Sequence, residues 1–334
     1  MFQNILILGH SNIGDIIYDL AVIDPLRQHC PAARVSFLTS ARGQDIAAGY
    51  HGIDEIIVLN RQGRDKGFLN RLRFTGMLRK KRFDLVVVLK SSLNDLFLGV
   101  SAVWRARNPD GLHPQHPVDR YLDMLRSRGV MIKGASFHFS VNDEGLFFCE
   151  QFLARHGVLP QDTLIGVLPL AAWSLKSWPA GKWRELAGIL RQTWGVKMLN
   201  LGKMPDNGLG GRVARELAGS VIPADKTTLP QAQALLNRCQ AFIGPDSSLL
   251  HLASCMGVET IGLYGATPSD RFYPYFHRHN ILMPKNKPAC MPCYPGRKPS
   301  CCAGPSQRDF GACMDGIAVE DVVSLIQERL NLKS

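Results

Sequence analysis

Short apolar runs of strand length recur along this chain with helical patterns between them, and that alternation restricts its possible folds more than any other feature. Residues 5–8, 35–38, 55–59 and 85–89 form a first series, and residues 164–169, 196–201, 241–244 and 260–264 form a second. Brief, nearly continuous apolar runs separated by helices suit strands that are covered on both faces of a parallel sheet. Two such series predict an α/β chain of two Rossmann-like parallel-sheet domains facing a cleft. The helix expected over 142–155 runs into the breakers His156-Gly-Val-Leu-Pro-Gln-Asp162. That puts a first domain at 1–158 and a second at 159–334. The last helix, 319–331, follows a cysteine-rich loop and is expected to pack back on the first domain.

The chain has 334 residues, of which 46% are hydrophobic and 20% charged, enough for two cores of ordinary domain size. Its purest apolar run, 85–89, falls far short of the roughly 20 residues that span a bilayer. The first strand lacks a basic leader and runs into a Gly/Asp turn, so it reads as a strand rather than a signal peptide, and the expected location is the cytoplasm. The net charge of +11 calls for an anionic partner. Basic residues gather at Arg61, Arg64, Lys66, Arg71, Arg73, Arg79, Lys80, Lys81 and Arg82, among Phe68, Leu69, Leu72, Phe74 and Leu78. This stretch is either the solvated face of a helix or a basic, partly apolar surface for anionic lipid head groups. It contains no recognisable nucleic-acid module, so nucleic acid is not the expected partner.

Three turns carry the residues with chemical potential. The first strand ends in Gly9-His-Ser-Asn-Ile-Gly-Asp15 and a helix starts at once, which sets Asp15 in a first helical turn at a sheet edge. There it either answers the helix dipole or acts as a general base, with Ser11, Asn12 and Gly14 leaving room for an acceptor. The spacing is not G-x-G-x-x-G, which argues against NAD chemistry. In the second series, the loop from Leu168 to Trp183 places Lys176 over the sheet edge, as solvated surface or as the partner of a leaving diphosphate. Trp173, Trp178 and Trp183 read as packing residues. The third turn, Gly244-Pro-Asp-Ser-Ser-Leu-Leu-His-Leu-Ala253, reads strand, polar turn, helix, and predicts free N–H groups at a helix start where phosphates bind. Asp246 is expected to cap that helix, Ser247 and Ser248 offer hydroxyls, and His251 either reaches a ligand oxygen or is a satisfied core histidine. Thr267, in the turn after the next strand, adds a donor.

Of nine cysteines, Cys30, Cys149, Cys239 and Cys255 lie in apolar surroundings and read as buried thiols, while Cys290, Cys293, Cys301, Cys302 and Cys313 lie close together. Cys290, Cys293, Cys301 and Cys313 have the number and type of ligands for zinc. The intervals are unlike a common zinc ribbon, and a reduced structural loop or a disulfide are the other readings.

Taken together, Gly14-Asp15, Lys176-Ser-Trp-Pro179, Asp246-Ser-Ser-Leu-Leu-His251, Leu263-Tyr-Gly-Ala-Thr-Pro268, the Cys-x-x-Cys-Tyr to Cys313-Met series and His116-Pro-Val-Asp-Arg-Tyr-Leu-Asp-Met-Leu125 resemble glycosyltransferase family 9. That family includes the ADP-heptose:lipopolysaccharide heptosyltransferases. The resemblance implies a GT-B fold, an acceptor-binding first domain and a donor-binding second domain. It also implies inverting transfer without metal or cofactor, from a nucleotide-sugar such as ADP-heptose to an anionic glycolipid at the inner face of the cytoplasmic membrane. On its pattern Asp15 is the base, Lys176 the phosphate-binding lysine, and Asp246 and His251 the donor-binding pair, with Ser247, Ser248 and Thr267 nearby. The alternatives are another nucleotide-sugar donor, an epimerase or hydrolase on the same fold, or a non-catalytic nucleotide-binding module.

Overall fold

The computed structural model describes residues 2–60, 63–90, 98–106, 115–294 and 310–333. The chain forms two compact units, Met1–Ser140 and Val141–Ser334.

The first unit runs β1 (Asn4–Leu8), α1 (Ile13–Asp19), α2 (Ile23–His29), β2 (Arg34–Thr39), α3 (Gln44–Ala48), β3 (Glu55–Val58), α4 (Phe68–Lys80), β4 (Leu85–Val88), β5 (Ala102–Arg105) and α5 (Pro117–Arg126). Its strands are parallel, in the order β3-β2-β1-β4-β5. The inner strands β1 and β4 pair Ile5 with Leu85 through Leu8 with Val88, and being covered on both faces they are apolar at nearly every position. Alternation sends Leu6, Leu8, Val86 and Val88 to one face, where they share a core with Leu78 of α4. On that helix only Leu78 is fully buried, while Phe68, Leu69 and Leu72 face solvent. β5 was not expected from the sequence because its four residues alternate weakly and only Trp104 is buried.

The second unit runs α6 (Asp143–Arg155), β6 (Leu164–Val167), α7 (Ala180–Trp194), β7 (Lys197–Asn200), α8 (Gly208–Leu217), β8 (Ile222–Pro223), α9 (Leu229–Arg238), β9 (Ala241–Pro245), α10 (Ser248–Cys255), β10 (Glu259–Leu263), β11 (Ile281–Leu282), α11 (Ala312–Asp315) and α12 (Val319–Leu330). These strands are parallel too, in the order β11-β10-β9-β6-β7-β8. Two expectations need correction. Helix α6 was expected to close the first domain, but it packs on α9 and buries Cys149 and Leu153, so the division falls at Ser140 rather than 158. The last helix was expected on the first domain, but α12 lies against α7 and β10, where Val319, Val322 and Ile326 join the core of Trp178, Trp183 and Leu186. Its apolar stripe completes the face of the second sheet that α7 only partly covers.

Among the described residues no helix is long and apolar enough to cross a membrane.

Candidate active site

In each sheet the chain builds outward from its first strand and then crosses to that strand's other side, so β1 lies beside β4 and β6 beside β9. Loops leaving the carboxyl ends of two such strands diverge, and the crevice between them is where open α/β sheets hold ligands. Lys176, Asp246 and Asp15 all follow strands that flank these points.

Two buried tryptophans hold the loop after β6. Trp178 and Trp183 are fully buried with their rings edge to face 5.1 Å apart, and Trp178 Nε1 donates to the Ile317 carbonyl at 3.1 Å. The Ala171 N–H donates to Ser177 Oγ at 2.8 Å. Lys176 therefore ends a short 3-10 turn, Ser174–Lys176, on a fixed path. Its Nζ donates to Asp246 Oδ2 at 2.6 Å, and His251 Nε2 lies 2.9 Å from Asp246 Oδ1. The Lys176 and Asp246 side chains are only 17% and 13% exposed. Burial alone would raise the Asp246 carboxyl, but the bonds and charges of His251 and Lys176 overcome it and bring the group down to about 2. Asp246 is thus an ionised, largely buried carboxylate whose two oxygens are both engaged.

That engagement corrects the expected cap of α10. Ser247, in extended backbone, is the capping residue and accepts the Leu250 N–H at 3.3 Å. Ser248 opens the helix, so the first-turn N–H groups and a hydroxyl lie next to the lysine ammonium. Such an arrangement suits a diphosphate. His251 is itself buried, and its ring is held by the site carboxylate.

Thr267 is buried in the turn after β10. The neighbouring Ala266 carbonyl accepts the N–H groups of Cys293 and Tyr294, at 3.0 and 2.9 Å. This folds the cysteine segment back on the site and sets Tyr294 beneath Lys176, whose Nζ lies 5.2 Å from the ring centroid. Trp173, the one tryptophan of the loop that is not fully buried, has its ring 6.4 Å from Tyr294. Cys313 packs beside Gly265, where a Cβ would come within 2.5 Å of its sulfur. Cys290 is partly buried, and Cys301 and Cys302 lie outside the described residues. Among the described residues no three His, Cys, Asp or Glu side chains converge as metal ligands. Tyr294 is the tyrosine of the Cys-x-x-Cys-Tyr series, but its contact with Lys176 was not legible in the sequence, because it depends on that chain reversal.

In the first unit, the loop after β1 is pinned at several points. Gly9 N–H donates to the Leu38 carbonyl at 3.0 Å, Thr39 Oγ1 to the His10 carbonyl at 3.3 Å, and Ser40 Oγ to the Ser11 carbonyl at 2.8 Å. A Cβ on Gly9 would fall 2.6 Å from the Phe37 ring, so glycine is required for this close path. Asp15 is half-buried in the first turn of α1, and Asn12 Nδ2 donates to its Oδ2 at 3.2 Å. Ser11 and Asn12 are exposed beside it, with Gly14 between.

Two parallel α/β sheets, each with its first strand beside a switch point, are those of the GT-B fold. Residues 103–300 match the sequence profile of glycosyltransferase family 9 (heptosyltransferase), and the chain belongs to this family. The chain is similar to lipopolysaccharide heptosyltransferase 2 of Escherichia coli K12, with 24% identity over 84% of this chain and 88% of that protein. Among solved structures, a glycosyltransferase of family 9 from Veillonella parvula superposes with a TM-score of 0.84 at 21% identity, covering 99% of this chain and 98% of that one. The E. coli heptosyltransferase WaaC with ADP superposes with a TM-score of 0.70 at 18% identity, covering 98% and 100%. The chain is therefore a glycosyltransferase, and the binding-module alternative falls away.

Proposed function

We propose that this glycosyltransferase moves a heptose from ADP-heptose to the phosphorylated core of a lipopolysaccharide precursor, with inversion at the anomeric carbon and no metal. The observation that carries the reading is the bridged set Lys176–Asp246–His251 beside the start of α10. Lys176 and the first-turn N–H groups neutralise the departing diphosphate, a task that a metal performs elsewhere. Asp246 orients the lysine, and Ser247, Ser248 and Thr267 complete the donor side. The first unit takes the acceptor at Ser11, Asn12 and Gly14, and Asp15 removes the proton from the attacking hydroxyl. The similarity to lipopolysaccharide heptosyltransferase 2 and to a heptosyltransferase with ADP supports the choice of sugar and base.

Incubation with ADP-heptose and a heptose-free lipopolysaccharide should release ADP and add one heptose of inverted configuration. Excess EDTA should leave that rate unchanged. Melting temperature should rise selectively with ADP among ADP, UDP, GDP, CDP and NAD, because a ligand that binds only the folded state stabilises it. Preference for another diphosphate would replace the donor, and the absence of both transfer and stabilisation would defeat the proposal.

The acceptor's position also gives α4 a role. Phe68 and Leu69 are 74% and 70% exposed, next to the exposed Leu72, Arg71, Arg73, Arg79 and Lys80. The acid nearest to them in sequence, Asp65, is buried and accepts the Asn60 N–H. Arg61 lies outside the described residues. A helix that shows water both cations and large apolar side chains is suited to the head-group region of an anionic membrane, here the cytoplasmic face where the acceptor resides. The protein should sediment with vesicles containing phosphatidylglycerol and not with pure phosphatidylcholine. Replacing Phe68, Leu69 and Leu72 together by serine should weaken that binding at least tenfold, as expected for the loss of about 0.8 kcal/mol per buried methylene. Unchanged sedimentation of the triple variant would rule α4 out.

A further inference from the structure

The loop after β1 holds a titratable pair that the proposed chemistry does not use. Asp19, the last residue of α1, is fully buried among Ile16, Ile17 and Leu20. One residue occupies both of its oxygens: the His10 backbone N–H donates to Oδ2 at 2.6 Å, and His10 Nδ1 lies 2.8 Å from Oδ1. A buried carboxylate is costly unless paired, and an apolar residue of similar size would serve stability as well or better. The pair therefore needs a reason other than stability.

Its position supplies one. Asp19 lies one helical turn beyond Asp15, so both project from the same side of α1. The His10 ring is stacked on Tyr121 of α5 with centroids 6.5 Å apart, and the side chain remains 25% exposed. Among the described residues no hydrogen bond reaches its Nε2. The charged and titratable groups around the ring are Asp19 and Asp15 from α1, Lys90 after β4, and Tyr121 from α5, whose own ring lies under the Arg120 guanidinium. Burial works against the charged imidazole and Lys90 opposes it, yet Asp19 and Asp15 prevail and hold His10 above its ordinary value. Burial keeps the Tyr121 phenol protonated.

We propose that His10, clamped by Asp19, is an acceptor-binding residue whose Nε2–H donates to an anionic oxygen of the sugar acceptor that Asp15 deprotonates. This rests on the acceptor-side reading of the first unit. The clamp fixes Nδ1–H on the buried edge of the ring, which commits the opposite nitrogen to the ligand.

Two isosteric variants separate binding from packing. His10→Asn keeps an N–H near the Nδ1 position for Asp19 and loses the outer nitrogen, whereas His10→Gln carries an amide near the Nε2 position and loses the clamp. His10→Asn should melt with the parent, raise the acceptor KM about tenfold, as expected for one charge-assisted bond, and leave the donor KM unchanged. His10→Gln should melt lower but keep part of the acceptor affinity. In the parent, acceptor KM should rise as pH climbs above the ordinary histidine range and the imidazolium loses its proton, and in His10→Asn that dependence should vanish. Phosphatase treatment of the acceptor distinguishes the oxygen: loss of the difference between parent and His10→Asn identifies a phosphate, and persistence a carboxylate. A parent-like acceptor KM in His10→Asn, with His10→Gln the worse enzyme, would assign the pair to packing and overturn the inference alone. Absence of transfer by the parent would overturn both readings.

Discussion

Replacement of Asp15 by alanine is expected to lower the transfer rate by about two to four orders of magnitude, the usual contribution of a positioned base. Donor affinity should remain, read as an unchanged rise in melting temperature with ADP. The asymmetry follows from position. Asp15 is in the unit assigned to the acceptor, half-exposed in the first turn of α1, and Asn12 at 3.2 Å is the side chain that donates to it. Its removal costs the helix a favourable dipole contact of about 0.3–1 kcal/mol and little else, so lost activity would not reflect lost fold. Asp15→Asn should be equally slow, because the amide keeps the shape and cannot accept the proton. Turnover of either variant at the parent rate would remove Asp15 from the chemistry.

What the sequence made legible was the periodic part of the molecule. The eight runs read as strands all lie in one of the two sheets, since buried parallel strands require continuous apolar residues and little else resembles them at that length. The strands that escaped are β5, β8 and β11, which have four or two residues and partly exposed side chains, so their hydrophobic signal is weak. The unit boundary was misplaced because breakers after α6 mark where a helix ends, not which core it joins; that is decided by its packing on α9. At the candidate site, turn chemistry singled out Lys176, Asp246 and His251 one by one, but their mutual bonding was not legible, because the lysine and aspartate are seventy residues apart in sequence. Asp19 went unremarked for a related reason: amid Ile16, Ile17 and Leu20 it reads as an interruption in an apolar face, and its partner lies in the preceding loop.

Replacement of Lys176 by alanine should weaken ADP binding and turnover together, by about 10- to 100-fold each, as expected for a charge-assisted bond to a diphosphate. The lysine's link to Asp246 adds a signature in stability that a surface lysine would lack. The Asp246 carboxyl stands at about 2 in the folded protein against an ordinary 3.8. A depressed carboxyl stabilises the fold fully above its unfolded value, and that contribution disappears as pH falls from about 4 to 2. For a pair only 17% and 13% exposed, the shift corresponds to about 2 kcal/mol. Asp246→Asn should therefore cost on the order of 2 kcal/mol at neutral pH and flatten the acid limb of the stability curve, measured by melting from pH 7 to 2. Lys176→Ala should flatten it in part, because His251 still holds the carboxylate. Parallel acid limbs in all three proteins would show that the pair contributes nothing to folding. The catalytic share is separable: if Lys176 acts on the departing diphosphate, its alanine variant must remain slow at saturating donor, because the charge it supplies is needed most as the bond breaks. Full rescue by excess donor would confine the lysine to ground-state binding and leave the helix N-terminus of α10 as the principal stabiliser of the leaving group.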